Sequence, residues 1–144
     1  MKSAKHQSIS PEEALTRLQR YCAYQERCTF DVSRKLDQWN ISKDDQQKII
    51  AGLKKDGFLS DERFAGLYVR SKVNQNKWGR VKIRAELLQR HIPGEITDKA
   101  IKNIDEAQYR DNLKTLIEKK IKEIKTDDRQ QYDLKLKQYL FSRG

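Results

Sequence analysis

The stretch Phe30-Asp-Val-Ser-Arg-Lys-Leu-Asp-Gln-Trp-Asn-Ile41 returns 51 residues later as Val81-Lys-Ile-Arg-Ala-Glu-Leu-Leu-Gln-Arg-His-Ile92. Val32, Leu36 and Ile41 fall on Ile83, Leu87 and Ile92, and the same shift carries Ile49, Ile50 and Leu53 onto Ala100, Ile101 and Ile104. A further shift of 53 takes Val81, Ile83 and Leu87 onto Leu134, Leu136 and Leu140. Upstream, Ala14, Phe64 and Tyr109 correspond, as do Leu18, Tyr68 and Leu113. Units of about 45–50 residues holding three helices each mark a tandem helical array.

Local signals place the helices. Ser10-Pro-Glu-Glu13 is a capping box with proline at the first helical position, opening a helix that runs to about Arg27. Thr29 caps a second helix through Val32 and Leu36 to Trp39, and Asn40 suits the left-handed position that ends it. Ser42-Lys-Asp-Asp45 and Ser60-Asp-Glu-Arg63 open the third and fourth helices. A fifth spans Arg80–Arg90, and Ile92-Pro93 starts a sixth. The seventh runs from Glu106 to Lys125, and Thr126-Asp-Asp128 caps an eighth. The expected fold is all-α: an elongated array of helix-turn-helix-like repeats. The boundaries are a polar tail at 1–9, a first repeat at 10–59, a basic second repeat at 60–104 and an incomplete third at 105–144. Gly144 falls where Asn40 and His91 stand, so the third repeat lacks its last helix, and a natural C-terminal segment is expected to be missing.

Composition agrees with helix. Charged residues reach 36%, above the roughly 25% of ordinary domains, and two prolines with six glycines leave little for hairpins. No apolar run approaches the ~18 residues of a membrane span, and the basic start has no apolar stretch behind it. Cys22 and Cys28 have no second pair, so no disulfide framework or zinc signature is read. A cytoplasmic monomer without cofactor or metal is expected.

The net charge of +10 is concentrated. Residues 63–91 hold eight cations, Arg63, Arg70, Lys72, Lys77, Arg80, Lys82, Arg84 and Arg90, against the single acid Glu86. A segment that repels itself this strongly is stabilised by an anionic partner, which points to nucleic acid or an acidic protein surface. Arg80 and Arg84 stand one helical turn apart, so both guanidinium groups can reach the same surface. Trp78, among these cations, stacks on a base or plugs the space between two helices; the sequence leaves both open.

Catalytic chemistry is scarce. There is no phosphate-cradling glycine loop, no nucleophile elbow and no His-x-x-x-His; His6 lies in the polar tail and His91 at a helix end. The pairs Asp44-Asp45, Asp61-Glu62 and Asp127-Asp128 each sit at a helix start, where carboxylates favour the dipole. No catalytic residue is assigned.

The run Gly57-Phe-Leu-Ser-Asp-Glu-Arg-Phe-Ala65, then Tyr68-Val-Arg70, Trp78-Gly79 and Lys82-Ile-Arg-Ala-Glu-Leu-Leu-Gln-Arg-His-Ile92, resembles the signature of the RecX family, regulators of the RecA recombinase. Gln25-Glu-Arg-Cys28 and Arg34-Lys-Leu36 resemble that family's first repeat. Two positions depart from the pattern: Lys77 replaces the first hinge glycine, and His91 the glycine before Ile92. The resemblance implies a non-enzymatic protein that lies along the RecA–DNA filament and inhibits its ATPase and strand exchange in repair and recombination. Its expected contacts are Arg34, Lys35, Arg63, Arg70, Lys72, Lys77, Trp78, Arg80, Lys82 and Arg84. The DNA is single-stranded within the filament, with double-stranded DNA left open, and whether filaments are capped, dismantled or blocked stays open too. The alternative is a free-standing, largely sequence-nonspecific DNA-binding protein.

Overall fold

The computed structural model describes residues 8–144; His6 and most of the polar tail lie outside them. Eight helices follow in order: α1 (Pro11–Tyr24), α2 (Thr29–Gln38), α3 (Lys43–Lys55), α4 (Asp61–Asn74), α5 (Arg80–Gln89), α6 (Gly94–Lys102), α7 (Glu106–Glu123) and α8 (Arg129–Arg143). The described residues contain no strand. They form two compact units. The first runs to Phe64 and includes Arg90–Ile92; the second takes Ala65–Gln89 and Pro93–Gly144.

In the first unit, α1, α2 and α3 bury Ala14, Leu18, Cys22, Val32, Leu36, Ile41, Ile49, Leu53 and Leu59 in one core. Helix starts follow their side chains. The Ser10 hydroxyl accepts from the Glu13 N–H at 3.1 Å, and Ser42 does the same for Asp45 at 3.2 Å. α1 stops at Tyr24, three residues short of the sequence reading. The Arg27 guanidinium turns back to donate to the Tyr21 carbonyl at 3.3 Å and lies over the Tyr21 ring, so it takes up a carbonyl left free at the helix end.

The start of α2 also differs. Thr29 is the first helical residue and Cys28 precedes it. The Asp31 carboxylate accepts the Cys28 N–H at 3.3 Å and its thiol at 3.2 Å. Asp61, in the first turn of α4, accepts both the Thr29 N–H at 2.7 Å and its hydroxyl at 2.9 Å. Asp61 thus serves the N-terminus of α2, a long-range cap that local spacing does not reveal. Arg63 adds a bond to Glu26 at 2.5 Å and one to the Gly57 carbonyl at 3.0 Å. These ties hold the first turn of α4 in the first unit, although the sequence reading opened a new repeat at residue 60.

The left-handed positions are occupied by Asn40, Lys77 and His91, at φ 54°, 53° and 55°. Asn40 and His91 end α2 and α5 as the repeat implies. Lys77 takes this conformation in the loop after α4, where the resemblance expects glycine.

In the second unit, Ala65, Val69, Val73, Ile83, Leu87, Ile101, Ile104 and Leu116 are buried. Asn112 is buried with them and donates to the Val73 carbonyl at 2.8 Å, fastening α7 to the end of α4. Asp105 caps α7 by accepting the Ala107 and Gln108 N–H groups, and Asp128 caps α8 through Gln130 and Gln131. The third repeat departs from the sequence register. Its α8 buries no residue: Leu134 is 55% exposed, and Leu136 and Leu140 are only half-buried. The physical difference is cover. α2 packs against α3 and α5 against α6, whereas α8 packs chiefly against α7 among the described helices.

Candidate nucleic-acid interface

The ten residues expected to meet an anionic partner are divided between the units. Arg34, Lys35 and Arg63 belong to the first; Arg70, Lys72, Lys77, Trp78, Arg80, Lys82 and Arg84 belong to the second.

In the first unit the cations are engaged internally. Arg63 pairs with Glu26. Lys35 lies over the Tyr21 ring, with its ammonium 5.4 Å from the centroid. Arg34 lies 5.7 Å from the Phe30 centroid, and Phe30 itself stacks on His91 at 4.6 Å. Arg90 pairs with Asp31 at 3.6 Å.

In the second unit arginine and lysine part company. Arg80 binds the Glu106 carboxylate at the start of α7 and lies over the Tyr109 ring, 4.1 Å from its centroid. The Tyr109 hydroxyl accepts the Arg80 N–H at 3.1 Å, supplying one partner at the open end of α5. Arg84 binds Asp98 on α6. The two arginines of α5 therefore serve different neighbours, where the sequence suggested one shared surface. Planar, forked guanidinium groups suit such carboxylate pairs, and both acids are exposed, so these ties are individually weak.

The lysines gather elsewhere. The Lys72 ammonium sits 4.7 Å from the Trp78 ring centroid and that of Lys82 sits 4.4 Å from the same centroid. Trp78 is half-buried, and its backbone N–H donates to the Lys72 carbonyl at 3.0 Å. Lys82 also reaches the Ser142 carbonyl at 3.4 Å. Lys77 immediately precedes Trp78, and Arg70 stands on the exposed face of α4. Among the described residues neither Lys77 nor Arg70 forms an ion pair. Sequence reasoning found the members of this cluster. It missed the acids that take up the arginines, Glu106 in the first turn of α7 and Asp98 further along α6, whose only signal is a carboxylate on a following helix.

The joint between α4 and α5 is closed by backbone. The Gly79 N–H donates to the Arg143 carbonyl at 2.6 Å, and a Cβ on Gly79 would come within 1.8 Å of the Gly144 carbonyl oxygen. Only glycine admits that approach.

Burial pushes the Cys28 thiol up to about 11, and burial raises Cys22 and Tyr21 as well. The described residues hold no group of three or more His, Cys, Asp or Glu side chains placed to hold a metal ion. No helix among them is long and apolar enough to cross a membrane.

Helices arranged in threes with no sheet define the class, an all-helical three-helix-repeat protein. Residues 60–101 match the RecX family's second three-helix domain. Over all 144 residues the chain is 26% identical to the regulatory protein RecX of Oceanobacillus iheyensis, covering 53% of that protein. Over 124 residues, 86% of this chain, it is 29% identical to the regulatory protein RecX of Bacillus cytotoxicus, covering 46% of it. The crystal structure of RecX from Lactobacillus salivarius superposes with a TM-score of 0.85 at 25% identity, covering 93% of this chain and 87% of that one. Residues 60–101 are thus similar to the RecX family's second three-helix domain, and the relatives that the chain resembles are regulatory proteins. It spans about half the length of these curated relatives.

Proposed function

We propose that the chain is a non-enzymatic inhibitor of the RecA recombinase. It acts in the cytoplasm as a monomer on the RecA–DNA filament, lowering ATP turnover and strand exchange during repair and recombination. The repeats at 10–59, 60–104 and 105–144 are its structural units. The observation that carries this reading is the net +7 of residues 63–91 in a chain otherwise nearly balanced and similar throughout to RecX regulatory proteins. A nucleoprotein filament offers phosphate and acidic protein, the opposite sign to this segment. Arg70, Lys72, Lys77 and Lys82 supply the outward charge. Arg34, Lys35, Arg63, Arg80 and Arg84 contribute to the field while holding the helices that present it.

The test is single-strand-dependent ATP hydrolysis by RecA, titrated with this chain at near-physiological salt. A fall at amounts well below the DNA sites present supports direct action on the filament. A fall only when the chain saturates the DNA favours a free-standing, sequence-nonspecific DNA-binding protein. No effect at any ratio overturns the filament reading, and no effect with DNA binding absent too overturns both.

A further inference from the structure

We propose that Lys72, Trp78 and Lys82 form a phosphodiester-binding cradle that contacts the backbone of a nucleic acid and leaves its bases unread. The inference deepens the reading above, since it names what the basic surface grips, and it can fail separately from it.

Two ammonium groups held over one indole ring are an unusual arrangement for like charges. Both are within 4.7 Å of a single centroid, so they lie within about 9 Å of each other. The ring quadrupole attracts each cation, and their mutual repulsion remains. A bound anion relieves that repulsion, while acids of the fold are spent elsewhere: Glu106 on Arg80 and Asp98 on Arg84. Among the described residues Lys82 also donates to the neutral Ser142 carbonyl, which carries no charge to offset it. Phosphates along one strand advance by roughly 3.4 Å per step, so two ammonium groups no more than about 9 Å apart can serve one phosphate or adjacent ones. Lys77 adds a third ammonium beside the ring in sequence.

The same geometry argues against base stacking on Trp78. A base needs an open aromatic face, and here the lysine ammonium groups lie over the ring, which is half-buried besides. The indole positions cations, and the cations meet phosphate. Binding of this kind depends on charge and salt and is indifferent to base identity.

The experiment follows Trp78 emission in a Trp39→Phe variant, titrated with oligo-dT, oligo-dA and inorganic polyphosphate at several salt concentrations. The expected result is one response for all three at equal phosphate concentration. With the single-stranded oligonucleotides, Lys72→Gln and Lys82→Gln should each lower the salt slope by about 0.7, and the Lys→Arg pair should restore it. Anisotropy of a labelled oligonucleotide gives the same slopes with both tryptophans in place, should Trp39→Phe fail to fold. A response to DNA with none to polyphosphate overturns the proposal, as does an unchanged slope in the double Gln variant or no binding at all. Intact phosphate binding with no effect on RecA would sink the filament reading and leave the cradle standing.

Discussion

Gln46 and Thr97 occupy equivalent positions of the repeat, and both are buried, but only Gln46 has its polar group satisfied. The Gln46 amide donates to the Ile41 carbonyl at 2.9 Å and to the Asp37 carboxylate at 2.8 Å. Among the described residues the hydroxyl of Thr97 has no hydrogen-bond partner. Removing a buried, unpaired hydroxyl while keeping its shape is favourable, so Thr97→Val should raise unfolding stability by about 1 kcal/mol. Gln46→Ala should lower it by about 1–3 kcal/mol, because the Ile41 carbonyl then loses its partner. Denaturant midpoints of the two variants against wild type check both signs.

Lys77 should respond in a similar way to relief of its backbone. A non-glycine residue in the left-handed region costs roughly 1–2 kcal/mol, so Lys77→Gly is expected to stabilise the chain although it removes a surface charge. Lys77→Val, β-branched, should do the reverse. His91 separates strain from stacking: His91→Asn keeps a residue that tolerates this conformation and loses the Phe30 contact. A fall in thermal midpoint for that variant measures the stack.

The cap that Asp61 provides to α2 spans 32 residues and should behave as a cap nonetheless. Asp61→Ala is expected to cost about 1–2 kcal/mol, and Asp61→Asn less, because its amide oxygen still accepts one hydrogen bond. Circular dichroism during urea unfolding gives the difference.

Cys28 makes a pH prediction with a definite sign. Burial raises its folded pKa to about 11 from an ordinary value of 9.0. The protonated thiol is therefore favoured by folding, and its contribution is fully present below pH 9 and lost as pH rises toward 11. Stability should fall more steeply across that window in wild type than in Cys28→Ala, whatever their starting levels. Iodoacetamide at pH 8 should modify Cys28 only at the rate of unfolding, which mass spectrometry after timed quenching reads directly.

What the sequence could reveal was local. Ser10, Ser42 and Asp128 cap their helices as their spacing implies, since cap and helix lie within three residues of each other. Asn40 and His91 were legible because the repeat aligns them at one special backbone position. Thr29 was misread as a cap because its partner, Asp61, is remote. The arginines were misread for the same reason: Glu106 and Asp98 meet Arg80 and Arg84 only after the helices pack. Leu134, Leu136 and Leu140 carry a core pattern, yet pattern alone does not say how far neighbouring helices cover it.

The separation of arginine from lysine in the second unit has a consequence for how such a protein can change. Arg80 and Arg84 are committed to joints between helices, while Lys72 and Lys82 are the groups proposed above to meet a partner. Grip and architecture are thereby carried by different side chains. Affinity can drift, or be dialled down by acetylating a lysine, without loosening the scaffold that presents it.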